Sequence, residues 1–408
     1  MFCCVSAKGR AALPITAVPN ALAFDKRPVA SCEILRGATN MSATKTILST
    51  GGAGFIGARL AAELSRHHRV IVYDSFHPQA HQDPMATRLH MAQQGINVRV
   101  GDLRDLAALQ AVFAQAKPDL VYHLAAETGT GQSFDHPLRY CDVNVMGTAN
   151  LVQAMRQSGV RPARIVLAGS RAVYGEGAYI DAGGRPAAPL QRSPYDLAVG
   201  CFLPRGANGL PLVPVPTQAD CPVAPSSVYA ATKLMQEHLL RHAFWGTDTS
   251  VGILRLQNIY GPGQSLHNPY TGVLSIFCQQ LCSGRMLNIY EDGQITRDFL
   301  FVDDAVRAFV RIGLIAGLPD EAIDIGSGQG TTIYDVARKL AALIGRSDDA
   351  LQITGAYRPG DIRHSVADIR RAAGLLGWIP EISLDTGLRA LVHWSGAHER
   401  RVAVHAAE

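Results

Sequence analysis

Short apolar runs alternate with longer segments of helix-forming residues along most of this chain. Residues 46–50, 69–74, 96–100, 120–124, 164–168 and 251–256 are rich in Val, Ile and Leu, as strands buried on both faces require. Between them, 105–116, 143–158 and 226–241 carry helix formers with apolar residues recurring at helical spacing. Strands separated by helices demand parallel crossovers, so the pattern predicts an α/β protein built on a doubly wound parallel sheet. One stretch breaks the rhythm. Residues 178–225 hold nine of the 22 prolines and little periodicity. A loop of that length is uncommon without a function. It is expected to cover a substrate site, to make a subunit contact, or to be an exposed insertion without catalytic consequence.

The first strand runs into Gly51, Gly52, Ala53, Gly54, Phe55, Ile56 and Gly57, and a helical run, 58–64, follows. Strand, glycine turn and helix in that order form the context of a Rossmann dinucleotide site. Glycines allow a tight turn and close backbone approach to a pyrophosphate at the helix N-terminus. The second strand ends at Asp74, 17 residues after Gly57. A carboxylate there accepts hydrogen bonds from both ribose hydroxyls and repels a 2′-phosphate, which favours NAD over NADP. Asp102 closes the third strand and is a candidate for the adenine amino group or, equally, for capping its own turn. The small residues Ala125 and Ala126 after the fourth strand leave room for a cofactor.

Tyr229 and Lys233 stand four residues apart within the helical stretch 226–241. At that spacing both project from one helix face. A cation near a phenol lowers a tyrosine pKa of ordinarily ~10, which suits Tyr229 to accept a hydroxyl proton near neutral pH.

Composition narrows the class. The 408 residues suffice for two domains, expected at 41–258 and 259–400 with the second partly interleaved with the first. A net charge of +4, scattered along the chain, does not argue for nucleic acid. No apolar stretch reaches the ~18–20 residues of a membrane helix. The eight cysteines form no Cys-x-x-Cys pair, so a zinc site is not expected; they read as mostly buried, reduced thiols of a cytoplasmic protein. Residues 1–40 lack a clear pattern and are expected to be disordered or to precede the natural start at Met41.

Between 45 and 395 the chain resembles the NAD-dependent epimerase/dehydratase family of extended short-chain dehydrogenases, which act on nucleotide sugars. The resemblance rests on the glycine loop, Asp74, His123-Leu124-Ala125-Ala126, Asn144-Val145-Met146-Gly147-Thr148, Ser170-Arg171-Ala172-Val173-Tyr174-Gly175, Tyr229 with Lys233, Asn258-Ile259-Tyr260-Gly261-Pro262-Gly263, Arg297-Asp298-Phe299, Val302-Asp303-Asp304 and Arg358-Pro359-Gly360-Asp361. It implies Tyr229 as acid/base, Ser170 as partner of the reacting hydroxyl, and Lys233 as the group that holds the nicotinamide ribose and lowers the Tyr229 pKa. NAD contacts would fall to Gly51, Gly54, Phe55, Ile56 and Gly57 in the loop and to Asp74, Asp102 and Leu103 beyond it. Leu124, Ala125, Ala126, Asn144, Tyr229 and Lys233 would complete them. Thr128 and Ser170 would face the sugar, and a smaller mixed α/β C-terminal domain would hold the nucleotide diphosphate through Asn258, Arg297 and Arg358, with Asp361 orienting Arg358 or a ribose hydroxyl. Asp303 and Asp304 read as structural rather than metal-binding. The family also implies a homodimer formed through helices 143–158 and 226–241.

The segment after Ser170 bears on the reaction. Dehydrating members resemble an Asp-Glu pair where this chain has Arg171-Ala172, and decarboxylating members resemble an acid at the Ala172 position. Without those acids the chemistry left is 4-epimerisation. The loop from His123 to Ser133 is similar to that of dTDP-L-rhamnose 4-epimerases, with a UDP-glucose or UDP-glucuronate 4-epimerase as the alternative. An NAD-dependent reductase and a non-catalytic NAD sensor are the readings of a different class.

Overall fold

The computed structural model describes residues 43–405 except Gln82, 267–271 and Pro359, with side chains described as far as Gly396. The expected extension 1–40 therefore lies outside the described residues, as do Cys3, Cys4 and Cys32.

The predicted alternation is present. β1 (Thr46–Thr50), α1 (Phe55–Ser65), β2 (Arg69–Asp74), α2 (Pro84–Gln93), β3 (Asn97–Val100), α3 (Leu106–Ala116) and β4 (Leu120–His123) follow in order. Two short helices come next, α4 (Thr130–Asp135) and α5 (Pro137–Tyr140), then a π-helical turn at Cys141–Met146 that leads into α6 (Gly147–Gln157). The expected helix 143–158 is thus two elements. The wide turn carries Asn144, whose side chain is drawn inward, and such turns often accompany functional sites. β5 (Arg164–Ser170) follows. The insertion adds β6 (Tyr179–Ile180), α7 (Pro194–Ala198) and β7 (Val213–Pro214). α8 (Val228–Phe244) starts two residues later than expected because the Ser227 side chain caps it, accepting from Ala230 N at 3.1 Å. The chain continues through β8 (Ser250–Leu256), β9 (Asn258–Tyr260), α9 (Val273–Cys282), β10 (Leu287–Ile289), β11 (Thr296–Phe301), α10 (Val302–Leu314) and β12 (Ala322–Ile325). It closes with β13 (Gly330–Thr332), α11 (Ile333–Ile344), β14 (Leu351–Ile353), β15 (His364–Ser365), α12 (Arg370–Leu376) and α13 (Leu384–His405).

The main sheet has seven strands in the order β12-β8-β5-β4-β1-β2-β3. Every neighbouring pair in it is parallel. The order reverses between β1 and β4, the point at which a crevice opens outside the strand carboxyl ends. Leu60 and Leu64 of α1 pack with Phe309 and Ile312 of α10 on one face. Leu109 and Phe113 of α3, Leu151 and Met155 of α6, and Leu240 of α8 cover the other. Each such side chain contributes about 1.5–3 kcal/mol by leaving water.

A third core joins α9, β11, α11 and α13 through Leu274, Phe277, Phe299, Leu340 and Leu388. From Thr44 onward the chain forms one compact unit. The expected boundary at 258/259 falls inside β9, and α10 and β12 return to the main sheet. Interleaving of that kind follows from a sheet whose last strand comes from the later part of the chain.

No described helix is long and apolar enough to cross a membrane. Among the described cysteines only Cys278 is buried, while Cys141 and Cys201 are exposed, so the expectation of mostly buried thiols is corrected. The mechanism is local: Cys141 opens the π-helical turn on the surface, and Cys201 follows α7 on the outside of the insertion.

Candidate active site

The switch point brings the glycine turn after β1 against the end of β4. Gly51 has φ +66°, and a Cβ there would lie 2.5 Å from Ala125 N. A Cβ on Gly57 would lie 2.4 Å from Gly51 O. No larger residue fits either place, and the packing leaves the N-terminus of α1 open toward a cavity of about 1020 Å³. Gly51, Gly54, Phe55, Ile56 and Gly57 line it from one side, and Leu124, Ala126 and Thr128 from another. Ser170, Tyr229, Lys233 and Asn258 line its far part. The sequence-predicted loop, catalytic group and sugar contacts therefore share one chamber. A backbone cradle at a helix N-terminus suits the pyrophosphate of NAD.

Asp74 supports that cradle. Its Oδ2 accepts from Ala53 N at 3.0 Å and its Oδ1 from Phe76 N at 2.8 Å, so it pins the glycine loop to β2. His81 Nε2 lies 3.4 Å from Oδ1, and it is His81 that reaches the cavity wall. Asp74 itself and four further expected cofactor contacts do not line the cavity. Asp102 is taken up by Arg104, which it meets at 2.7 Å, and by its own turn, accepting from Arg104 N at 2.9 Å. Those bonds hold its carboxyl below the ordinary aspartate range. Leu103 is buried against Gly147. Ala125 gives its backbone to the approach of Gly51. Asn144 braces the loop after β4: its Oδ1 accepts from Glu127 N at 2.7 Å, and its Nδ2 donates to Glu127 O and Thr232 Oγ1.

The Tyr229 ring meets Tyr140 edge-on, with centroids 6.3 Å apart. Tyr140 Oη donates to Thr128 O at 2.8 Å, so the two rings fix the loop that presents Thr128. Burial raises the Tyr229 phenol above its ordinary pKa, while a Ser170 hydrogen bond and the Arg171 charge pull it down. The Arg171 guanidinium is thus a cation that acts on the phenol. Lys233 is buried and donates from Nζ to Gln236 Oε1 at 2.5 Å. Burial brings its pKa down to about 8. Gln236 Nε2 donates to Thr148 Oγ1 at 2.9 Å. His123 Nε2 lies 2.9 Å from the same hydroxyl, and its Nδ1 lies 2.8 Å from Thr50 Oγ1. This polar chain runs beneath the cavity floor.

On the nucleotide side, Arg297 Nη2 meets Asp361 Oδ1 at 2.5 Å, and Arg297 is buried. Arg358 lies apart from that pair, exposed, with its guanidinium 4.6 Å from the Tyr290 ring centroid. Asp303 sits 3.4 Å from Arg59, and Asp304 Oδ2 accepts from Glu381 N and Ile382 N. Both therefore have structural partners, and among the described residues no three His, Cys, Asp or Glu cluster as a metal site would need. Sequence reasoning missed Gln236, one turn beyond Lys233 on the same face, and noted Arg171 only as a missing acid.

Comparison with known proteins agrees with this geometry. A family model described as "NAD dependent epimerase/dehydratase family" matches residues 47–202 and 207–326. The chain is 42% identical to a dTDP-L-rhamnose 4-epimerase of Burkholderia thailandensis over 354 residues, covering 86% of this chain and 94% of that protein. It is 32% identical to a UDP-glucose 4-epimerase of Mycolicibacterium smegmatis, covering 85% and 97%. Among solved structures it superposes on the Thermus thermophilus UDP-glucose 4-epimerase complex with NAD. The TM-score is 0.67 at 26% identity, with 86% and 99% of the two chains covered. With a glycine cradle at the switch point and a Ser170–Tyr229 pair facing it, the chain belongs to the NAD-dependent epimerase/dehydratase family, and NAD is its cofactor.

Proposed function

We propose that this chain is an NAD-dependent nucleotide-sugar 4-epimerase whose substrate pair is dTDP-L-rhamnose and dTDP-6-deoxy-L-talose. The observation that carries the reaction is that Ser170 and Tyr229 line the wall of the chamber that also holds the glycine loop. Ser170 orients the C4 hydroxyl, and the Tyr229 oxygen takes its proton and later returns it. NAD, when bound, supplies the acceptor and donor of the C4 hydride. Gly51, Gly54, Gly57, Leu124 and Ala126 are the residues that would hold it. Arg171 and Ala172 offer no acid for eliminating a neighbouring hydroxyl, which favours epimerisation over dehydration.

The choice of sugar is supported by the 42% identity to the Burkholderia thailandensis enzyme, against 32% for the UDP-glucose 4-epimerase. In this reading the expected first domain, 41–258, serves NAD and the later segment serves the nucleotide. The protein is cytoplasmic and a homodimer. Met146 and Met235 support the dimer, as exposed apolar side chains next to or on the two candidate helices.

The test is incubation of the purified protein, without added NAD, with dTDP-L-rhamnose, UDP-glucose and UDP-glucuronate, reading C4 inversion by NMR. Inversion of dTDP-L-rhamnose without net change in NADH absorbance is expected. Tyr229→Phe should lower turnover by roughly 10²–10⁴-fold. Net reduction of NAD, or full turnover by Tyr229→Phe, refutes the assignment.

A further inference from the structure

Arg171 is the charged group for which the site so far gives no use. It follows Ser170 as the first residue of the 3₁₀ turn Arg171–Tyr174 and lines the chamber with Ser170, Ala172 and Tyr229. Its guanidinium makes no hydrogen bond or ion pair with any described residue. The other arginines on this side are all engaged. Arg297 holds Asp361 at 2.5 Å, Arg192 holds Glu176 at 2.9 Å, and Arg363 holds Glu291 at 2.7 Å. Asp361 and Glu176 are the carboxylates that act on Arg171, and both already carry an arginine of their own. Neither carboxylate is left to balance the Arg171 charge. Burial, then the charge of Arg297, lowers the Arg171 pKa to about 10.

A guanidinium left this way keeps five N–H donors unmet, and its fork matches two oxygens of one anion. The charges acting on it locate that anion. Tyr229, where the C4 hydroxyl reacts, is one neighbour, and the Arg297–Asp361 pair, on the nucleotide side, is another. We propose that Arg171 is a substrate contact that joins Arg297 in binding the diphosphate of the nucleotide sugar at the phosphate next to the sugar. That hold fixes the distance from the phosphate to Tyr229 and leaves the sugar free to turn about its link to the phosphate.

The proposal rests on the nucleotide-sugar reading above, and its test separates the two. Calorimetric titration of the NAD-loaded protein with dTDP and UDP measures binding without the sugar reaction, and UDP-glucuronate is titrated beside them. Arg171→Ala should weaken nucleoside diphosphate binding by roughly ten-fold or more, and Arg171→Lys should restore part of it. The thermal midpoint should hold or rise, since no partner loses a bond and Arg297 loses a like-charged neighbour. Wild-type affinity of Arg171→Ala for dTDP and UDP overturns the role of Arg171. A loss confined to UDP-glucuronate assigns the anion to a sugar carboxylate and overturns the diphosphate assignment. A wild-type chain that binds neither dTDP nor UDP refutes the substrate reading itself.

Discussion

Lys233 Nζ donates to Gln236 Oε1 at 2.5 Å, so the ammonium one helical turn beyond Tyr229 is tied to its own helix. Gln236 in turn serves Thr148 at 2.9 Å, and Thr148 meets His123. Gln236→Leu leaves the buried Lys233 ammonium without its partner, while the Thr148 hydroxyl keeps Asn144 O and His123. Such a group costs about 1–3 kcal/mol when orphaned. The variant should lose stability of that order in urea denaturation, and wild-type stability would show that Lys233 finds another acceptor.

Two buried groups give opposite pH dependences, and single substitutions should separate them. Burial and then the charge of Lys233 push the His123 pKa down to about 3 from 6.5. The unfolded chain therefore binds a proton that the folded chain refuses, and His123 removes stability as pH falls through 6.5. Asp324 sits under Tyr174 Oη at 2.9 Å, and burial raises its pKa to about 7 from 3.8. Here the folded chain keeps the proton, so Asp324 removes stability as pH rises from about 4 to 7. Between about pH 4 and 6.5 the two slopes offset, each limited to ~1.4 kcal/mol per pH unit. Asp324→Asn should make urea-derived stability climb with pH in that window, and His123→Asn should make it decline. Parallel pH profiles for the two variants would remove the argument.

Arg192 holds the insertion 178–225 by ion pairs, and Thr217 holds it by backbone bonds to Val366 and Asp368. Arg192 is 5% exposed and meets Glu176 at 2.9 Å, Glu291 at 2.7 Å and Asp361 O at 2.6 Å. Removing this buried guanidinium leaves Glu176 without its ion-pair partner, at about 3–5 kcal/mol, while Glu291 keeps Arg363 at 2.7 Å. Arg192→Met should therefore destabilise the fold by that order and open the insertion to limited proteolysis. Adding Glu176→Gln should recover part of the loss, because the stranded charge is gone. An Arg192→Met protein as protease-resistant as wild type would return the insertion to a mere appendage.

How much of this was legible in the chain varies by residue. Gly51 and Gly57 announced the cradle, because only glycine fits a turn packed on β4. Tyr229 and Ser170 were readable as a pair only through the motifs around them, and both reach the chamber. Asp102 was undecided between a base and its own turn, and proximity of Arg104 gave it to the turn. Asn144 was placed on the cofactor, yet the π-helical turn aims it at Glu127.

Local composition determined the strands, the glycine turn and the parallel sheet, because these depend on periodicity and on residues near one another in sequence. Tertiary structure decided which charge meets which. Lys233 went to Gln236, Asp361 to Arg297, and Arg192 to Glu176 and Glu291, leaving Arg171 beside Tyr229 without a partner. Two of those pairings are distant in sequence, Arg297–Asp361 spanning 64 residues and Arg192–Glu291 spanning 99. Such distant pairings are set by how the sheet and the later segment bring their ends together, and by the cost of burying any charge that finds no partner.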